Sequence, residues 1–137
     1  MTYLLDTNAC IAVINGNPQI VRTRLDRALN SGADVYVSSV VLFELWYGVA
    51  KSARREANAK RVELFFSGPI VPLPFDGADA ESAGLIRAGL ESAGTPIGAY
   101  DMLIAGQALR RNFTLVTANA REFRRIKSLA CQDWARR

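Results

Sequence analysis

The sequence contains no histidine, and this absence excludes several kinds of catalysis. Ser-His-Asp and Cys-His hydrolases, ribonucleases that use histidine as acid and base, and zinc proteases with an HExxH motif all need an imidazole. If the chain is a hydrolase, carboxylates and metal-activated water are therefore its most available chemistry.

Cysteines and long apolar runs are also scarce. The two cysteines, Cys10 and Cys131, have no CxxC spacing, which argues against a zinc site or a disulfide framework. No run approaches the roughly 18 apolar residues that a membrane span needs. Asp6 interrupts the first apolar stretch, and no basic region precedes it as in a signal peptide. We therefore expect a soluble protein in a reducing cytoplasm.

Lysine is rare, and arginine supplies 14 of the 17 basic residues in a chain of net charge +4. Arginine pairs recur at positions 54–55, 110–111, 124–125 and 136–137. Guanidinium groups match the geometry of phosphate oxygens. The charge alone leaves two interpretations open, a solvated basic surface and a surface that binds a polyanion such as nucleic acid.

Short apolar runs alternate with longer helical segments. Strands are predicted at 3–5, 35–37, 70–73 and 113–117, and helices at 7–15, 20–29, 39–52, 54–66, 76–93, 100–111 and near Arg121. This alternation predicts the α/β class, a three-layer α/β/α sandwich with a central, mainly parallel sheet. The length fits one domain over 1–137. Active sites in such sheets collect at the carboxyl ends of the strands.

The positions of two aspartates each have a structural explanation and a functional one. Asp6 directly follows the first strand, so it is either the N-cap of the next helix or a functional carboxylate at the edge of the sheet. Asp101 falls in the first turn of an apolar helix. It interacts favourably with the helix dipole there, yet an acid on a buried helix also needs a cation.

Glu44 lies within the apolar run 40–49, which predicts a largely buried helix. An ionised glutamate in that place needs a partner, and Lys51 is seven positions away. The partner of Glu44 is either an arginine from elsewhere in the chain or a metal ion.

Asn119 and Glu122 follow a strand that ends at Thr117. Their spacing is that of a capping box, which would account for both residues without any chemistry.

Asp6, Glu44 and Asp101 nevertheless form a pattern, because a sheet that gathered them would force three carboxylates together. Their repulsion near neutral pH is tolerable only with cations. Oxygen ligands without histidine or clustered cysteine favour Mg²⁺ or Mn²⁺ over zinc.

Four segments carry these residues in the order LLDTN (4–8), SSVVLFELWYG (38–48), GTPIGAYDMLIA (94–105) and LVTANAREF (115–123). Together they resemble the PIN-domain nucleases, and in particular the toxin ribonucleases of VapBC-type toxin–antitoxin pairs. Each segment alone is a weak signal, but all four in this order cover nearly the whole chain. The resemblance implies a Mg²⁺-dependent endoribonuclease toxin, with Mn²⁺ as a possible substitute, that hydrolyses RNA phosphodiester bonds.

The resemblance also assigns roles to site residues. The family's acidic positions fall on Asp6 and Asp101, as direct metal ligands, and on Glu44, which binds metal or a metal-bound water. Many relatives carry aspartate where this chain has Asn119, so either Asn119 or Glu122 fills the fourth position. The hydrogen-bonding positions that support the site fall on Thr7, Asn8 and Thr117.

The resemblance further implies a cognate antitoxin and a homodimer. Six residues suit a groove for an antitoxin segment, although core packing is the better explanation for at least half of them. These are Phe43, Trp46, Tyr47, Val62, Phe65 and Phe66. Contacts to the RNA backbone are assigned to Arg87, Arg110 and Arg121.

Two other functions compete with the ribonuclease. One is a catalytically weak nucleic-acid-binding module on the same fold, since the fourth aspartate is replaced. The other is a small Mg²⁺-dependent phosphatase, which usually needs an aspartyl nucleophile and a nearby lysine. The three lysines, Lys51, Lys60 and Lys127, all lie outside the acidic motifs.

Overall fold

The structure is a computed structural model that describes residues 1–136, and its strands and helices alternate along most of the chain. The strands are β1 (Thr2–Leu5), β2 (Asp34–Ser38), β3 (Val71–Leu73), β4 (Thr114–Val116) and β5 (Cys131–Gln132). The helices are α1 (Thr7–Asn15), α2 (Gln19–Asn30), α3 (Ser39–Lys51), α4 (Arg55–Phe66), α5 (Gly77–Ser92), α6 (Ala99–Arg111) and α7 (Ala120–Phe123). None of the helices in this described part is long and apolar enough to cross a membrane.

The five strands form one parallel sheet in the order β3-β2-β1-β4-β5. The chain builds outward from β1 to β3 and then returns to the other side of β1 for β4 and β5. This reversal places a crevice between the carboxyl ends of β1 and β4, where ligands bind in open α/β sheets. The predicted α/β class with a parallel sheet is confirmed.

Helices cover the sheet and also pack on one another, α1 on α2, α3 on α4 and α5 on α6. The contact between α5 and α6 is the tightest of these. A Cβ atom at Gly106 would lie 2.6 Å from backbone atoms of Ala83, so any side chain there would push the two helices apart.

Most predicted elements differ from the observed ones by only a few residues at their ends. Helix α1 matches its prediction, and Ser38 caps α3 by accepting a hydrogen bond from the Val40 N–H at 3.1 Å. Strand β5 was not predicted, because two residues are too short for any periodic pattern.

The prediction that the helix of Glu44 is largely buried is wrong. Only Val41 and Leu45 of α3 are buried, whereas Phe43 is 56% and Tyr47 is 58% exposed. Because α3 is apolar on almost every face, its sequence does not show which face packs against the rest of the protein. Only one narrow stripe of the helix is buried. Its remaining aromatic residues stay on the surface.

Candidate functional site

Asp6 occupies the crevice at the carboxyl end of β1 and also caps α1. Its Oδ1 atom accepts a hydrogen bond from the Ala9 N–H at 2.8 Å, while its own N–H donates to the Val116 carbonyl of β4 at 3.0 Å. The side chain is buried. The structure confirms the N-cap, and the functional role of this carboxylate stays a prediction.

Burial raises the pKa of Asp6 from its ordinary value of 3.8 to about 6. Hydrogen bonds from the Thr117 hydroxyl and the Ala9 N–H lower the pKa, and the nearby carboxylates of Asp101 and Glu44 raise it. Burial therefore destabilises the ionised form of Asp6, and the two hydrogen bonds offset only part of this loss of free energy.

Glu44 comes to this crevice from α3, and Thr7 of α1 orients it. The Thr7 hydroxyl donates to Oε1 of Glu44 at 2.7 Å. Within residues 1–136, no lysine or arginine forms an ion pair with Glu44. A distant arginine therefore does not neutralise Glu44 in the described structure. Because Glu44 is only partly buried, water can solvate its charge, and the metal ion stays a prediction.

Asp101 reaches the same crevice from the first turn of α6. Burial raises its pKa, and the carboxylates of Glu122 and Glu44 raise it further. A Cβ atom at Gly98 would lie 3.4 Å from Oδ2 of Asp101, so the glycine lets the preceding loop approach this carboxylate closely.

Asn119 and Glu122 do not form the predicted capping box. Asn119 is the N-cap of α7 without a side-chain capping bond, and its Nδ2 atom instead donates to Oε2 of Glu122. The Asn119 N–H donates to the Thr117 hydroxyl at 2.9 Å. The amide thus holds Glu122 in place, where it acts electrostatically on Asp101. Four carboxylates, rather than three, influence one another here.

We call Asp6, Glu44, Asp101 and Glu122 the acidic crevice. In the described part of the chain, no three His, Cys, Asp or Glu side chains lie close enough together to hold a metal ion as they stand. Repulsion among like charges disfavours such convergence in the absence of a cation. Asn8, the third predicted supporting residue, is exposed and lines a neighbouring cavity of about 200 Å³ beside Thr117.

The three arginines predicted to contact RNA lie in different settings. Arg121 is exposed on α7, next to Glu122 in the chain. Arg87 forms an exposed ion pair with Glu91 on α5 at 3.0 Å. Arg110 lies at the last turn of α6, roughly 13 Å along the helix from Asp101 at 1.5 Å per residue.

Arg110 belongs to a second group of charges that the sequence did not reveal. Arg110 and Arg111 both pair with Asp76 and with the fully buried Asp79, at 2.9–3.4 Å. Gln107 also donates to Asp79, at 3.2 Å. Because its guanidinium is engaged with these carboxylates, Arg110 is a poor candidate for binding RNA.

The six residues predicted to form an antitoxin groove divide into two sets. Val62 is buried, and Phe65 and Phe66 pack against the core, as the core-packing alternative expected. Phe43, Trp46 and Tyr47 of α3 are exposed. A groove of about 260 Å³ runs between α1, α3 and α4. Glu44 and Val62 line it, whereas the three exposed aromatic residues of α3 do not.

Known proteins share this fold and this sequence pattern. The PIN domain model matches residues 3–129. The chain is 43% identical to the tRNA(fMet)-specific endonuclease VapC of Shigella flexneri over 98% of this chain and 99% of the relative. It is 42% identical to the protein of the same description from Salmonella typhimurium over 98% of both chains.

Among solved structures, the chain resembles a crystal structure of VapBC2 from Rickettsia felis bound to a DNA fragment from their promoter. The TM-score is 0.91 at 37% identity, and the match covers 98% of this chain and 99% of the other. This agreement spans both the fold and the four sequence segments. The chain therefore belongs to the PIN-domain family and, within it, to the VapC group of ribonucleases.

Proposed function

We propose that this chain is a Mg²⁺-dependent endoribonuclease that hydrolyses RNA phosphodiester bonds as the toxin of a toxin–antitoxin pair. The observation that carries the proposal is the acidic crevice. Its four carboxylates influence one another electrostatically at the carboxyl edge of the sheet, although no three converge as they stand, and no arginine or lysine of residues 1–136 forms an ion pair with them. The names of the VapC relatives agree with this chemistry.

The residues of the crevice suit a hard divalent cation. All the donors are oxygen atoms, which Mg²⁺ and Mn²⁺ prefer, and the chain has no histidine to favour zinc. Burial and neighbouring carboxylates raise the pKa values of Asp6 and Asp101, so a bound cation would stabilise their ionised forms. When bound, such a cation lowers the pKa of water and stabilises negative charge on a phosphodiester.

The residues of the acidic crevice and their hydrogen-bond partners have different proposed roles. Asp6, fixed by its capping bond, and Asp101, at the start of α6, are the proposed ligands. Glu44, oriented by Thr7, and Glu122, held by Asn119, position a ligand or accept a proton from water. Thr117 connects the two halves of the site, because its hydroxyl donates to Asp6 and accepts from the Asn119 N–H.

We propose initiator transfer RNA as the first substrate to test. Two relatives that share more than 40% of their residues with this chain over nearly their full length are named as tRNA(fMet)-specific endonucleases. The site itself supports phosphodiester hydrolysis without indicating a sequence preference, since the described carboxylates can only hold and activate groups at the backbone.

We also propose an antitoxin as partner, seated in the groove between α1, α3 and α4. VapB–VapC complexes are known for relatives with this fold. The groove combines apolar walls such as Ile11 and Leu45 with Glu44. A segment bound there would lie against a carboxylate of the acidic crevice, which suits inhibition of the enzyme. A homodimer stays a prediction from the family.

A cleavage assay on an initiator transfer RNA transcript tests the proposed function. We expect Mg²⁺-dependent cleavage by the parent, a loss of about 100-fold or more for Asp6→Asn and Asp101→Asn, and no cleavage with a chelator. Asp26→Asn, which removes an exposed carboxylate of α2, is the matched control and should cleave like the parent.

Parental activity in both crevice variants would remove the basis of the proposal. Binding of RNA without cleavage by the parent would favour the catalytically weak alternative. That alternative has lost its main support, because Glu122 supplies a fourth carboxylate despite Asn119.

A further inference from the structure

Residues 121–127, which we call the basic segment, hold the densest group of cations in the chain. The four cations are Arg121, Arg124, Arg125 and Lys127. Phe123 and Ile126, which lie three residues apart, are buried. The four cations beside them are exposed to solvent. The single carboxylate of the segment, Glu122, belongs to the acidic crevice.

Most arginines elsewhere in the described chain already serve the fold. They donate to backbone carbonyls or to carboxylates, as do Arg22, Arg24, Arg61, Arg87, Arg110 and Arg111. By contrast, Arg121, Arg124 and Lys127 make no hydrogen bond to residues 1–136, so their charges are available to a ligand.

The position of the basic segment ties it to the acidic crevice. The Arg125 guanidinium donates to the Pro96 carbonyl at 3.3 Å, which fixes the segment against the loop that leads to Asp101. The pKa of the Cys131 thiol is raised by burial, lowered by Arg124 and raised by Asp6. Arg124 and Asp6 therefore both lie near this one side chain.

We propose that Arg121 and Arg124 bind RNA phosphates beside the acidic crevice, that Lys127 extends this basic surface toward α5, and that the three cations guide the RNA backbone to the crevice. An acidic crevice repels a polyanion, and adjacent cations offset that repulsion. Arginine forks fit phosphate oxygens, and such contacts position the strand without reading its sequence. This inference rests on the proposed ribonuclease function and names the surface through which its substrate enters.

Two triple variants with the same loss of charge test the proposal. Arg121→Gln/Arg124→Gln/Lys127→Gln removes the three cations of the basic segment. Arg54→Gln/Arg55→Gln/Lys60→Gln removes three exposed cations at and near the start of α4. These residues follow the C-terminal end of α3, which is the end farther from β2. The measurement is the affinity of each protein for poly(U) over a series of salt concentrations, with a chelator present to prevent cleavage.

Each lost phosphate contact on single-stranded RNA lowers the slope of log affinity against log salt by about 0.7. We expect the slope to fall by about 2 for the basic-segment variant and to stay close to the parental value for the control. With initiator transfer RNA and Mg²⁺, KM should rise while kcat is largely retained.

An unchanged slope in the basic-segment variant, or an equal fall in both variants, would overturn the proposal. Arg121→Lys/Arg124→Lys guards against a folding defect, since it keeps the charges and should keep the parental slope. Failure of the proposed function is distinguishable, because it appears as parental cleavage by Asp6→Asn, whatever the salt dependence of binding.

Discussion

The molecule holds two groups of carboxylates with opposite electrostatic surroundings. Around the buried Asp79, Arg110 and Arg111 supply positive charge, and the pKa falls to about 2 even though burial acts to raise it. In the acidic crevice, burial and neighbouring carboxylates raise the pKa of Asp6 to about 6, and no arginine among residues 1–136 forms an ion pair with it.

The difference separates an acid that stabilises the fold from an acid that we propose for chemistry. The Asp79 group is electrostatically satisfied by the chain itself, and it joins the start of α5 to the end of α6. The acidic crevice is left short of positive charge, which a folded protein tolerates where a cation or ligand completes the site. Asp79 and Asp6 are both buried, so burial alone does not distinguish them.

The largest effect is expected from removing Asp79. Asp79→Ala removes the buried acceptor that Arg110, Arg111 and Gln107 share, which leaves them only Asp76 and the Pro74 carbonyl, and should lower the free energy of unfolding by about 3 kcal/mol. Urea unfolding at neutral pH measures this loss. Asp26→Ala, an exposed aspartate, should change stability by less than about 0.5 kcal/mol. A similarly small change for Asp79→Ala would break the comparison.

Removing the charge of Asp6 should have the opposite sign. The folded-state pKa of about 6 exceeds the ordinary value of 3.8, so Asp6 contributes most stability below pH 3.8 and loses that contribution as pH rises through 6. Asparagine keeps the N-cap. Asp6→Asn should therefore stabilise the metal-free protein at pH 8 by about 2 kcal/mol.

The same variant supplies its own control through pH. In the presence of a chelator, the advantage of Asp6→Asn in urea unfolding should shrink as pH falls from 7 toward 4, where Asp6 of the folded parent is protonated. A destabilised Asp6→Asn at pH 8 would mean that the crevice is electrostatically satisfied after all.

The smallest effect is expected from Arg111→Gln, because Arg110 still pairs with Asp79. We expect a loss of about 1 kcal/mol at neutral pH. The lowered pKa of Asp79 contributes stability above pH 3.8 that is lost as pH falls through about 2, and the variant should lose it at a higher pH. Acid titrations of both proteins, followed by circular dichroism, measure this difference, and coincident curves would contradict it.

The sequence was sufficient to predict the α/β class and the pattern of elements, because strong local signals mark them. An apolar run followed by an acid indicated β1 and Asp6, and the serine at 38 indicated the start of α3. Local patterns failed for β5, which pairs through only two residues, and for α3, whose exposed face is as apolar as its buried one.

Long-range partners could not be predicted at all. Asp79 and Arg110 lie 31 residues apart, and nothing in the local sequence distinguishes Arg110 from an arginine that faces solvent. The contact between Asn119 and Glu122 was missed for another reason, since the spacing of a capping box also suits a bond between the two side chains. The convergence of the four acidic positions depends on the order of strands in the sheet.

Calorimetric titration with Mn²⁺ tests the central claim most directly, because it measures whether the acidic crevice takes up a divalent cation. We expect binding by the parent and by Asp26→Asn, an accompanying rise in melting temperature, and loss of both in Asp6→Asn. Equal binding by the parent and Asp6→Asn, or no binding by the parent, would contradict the account.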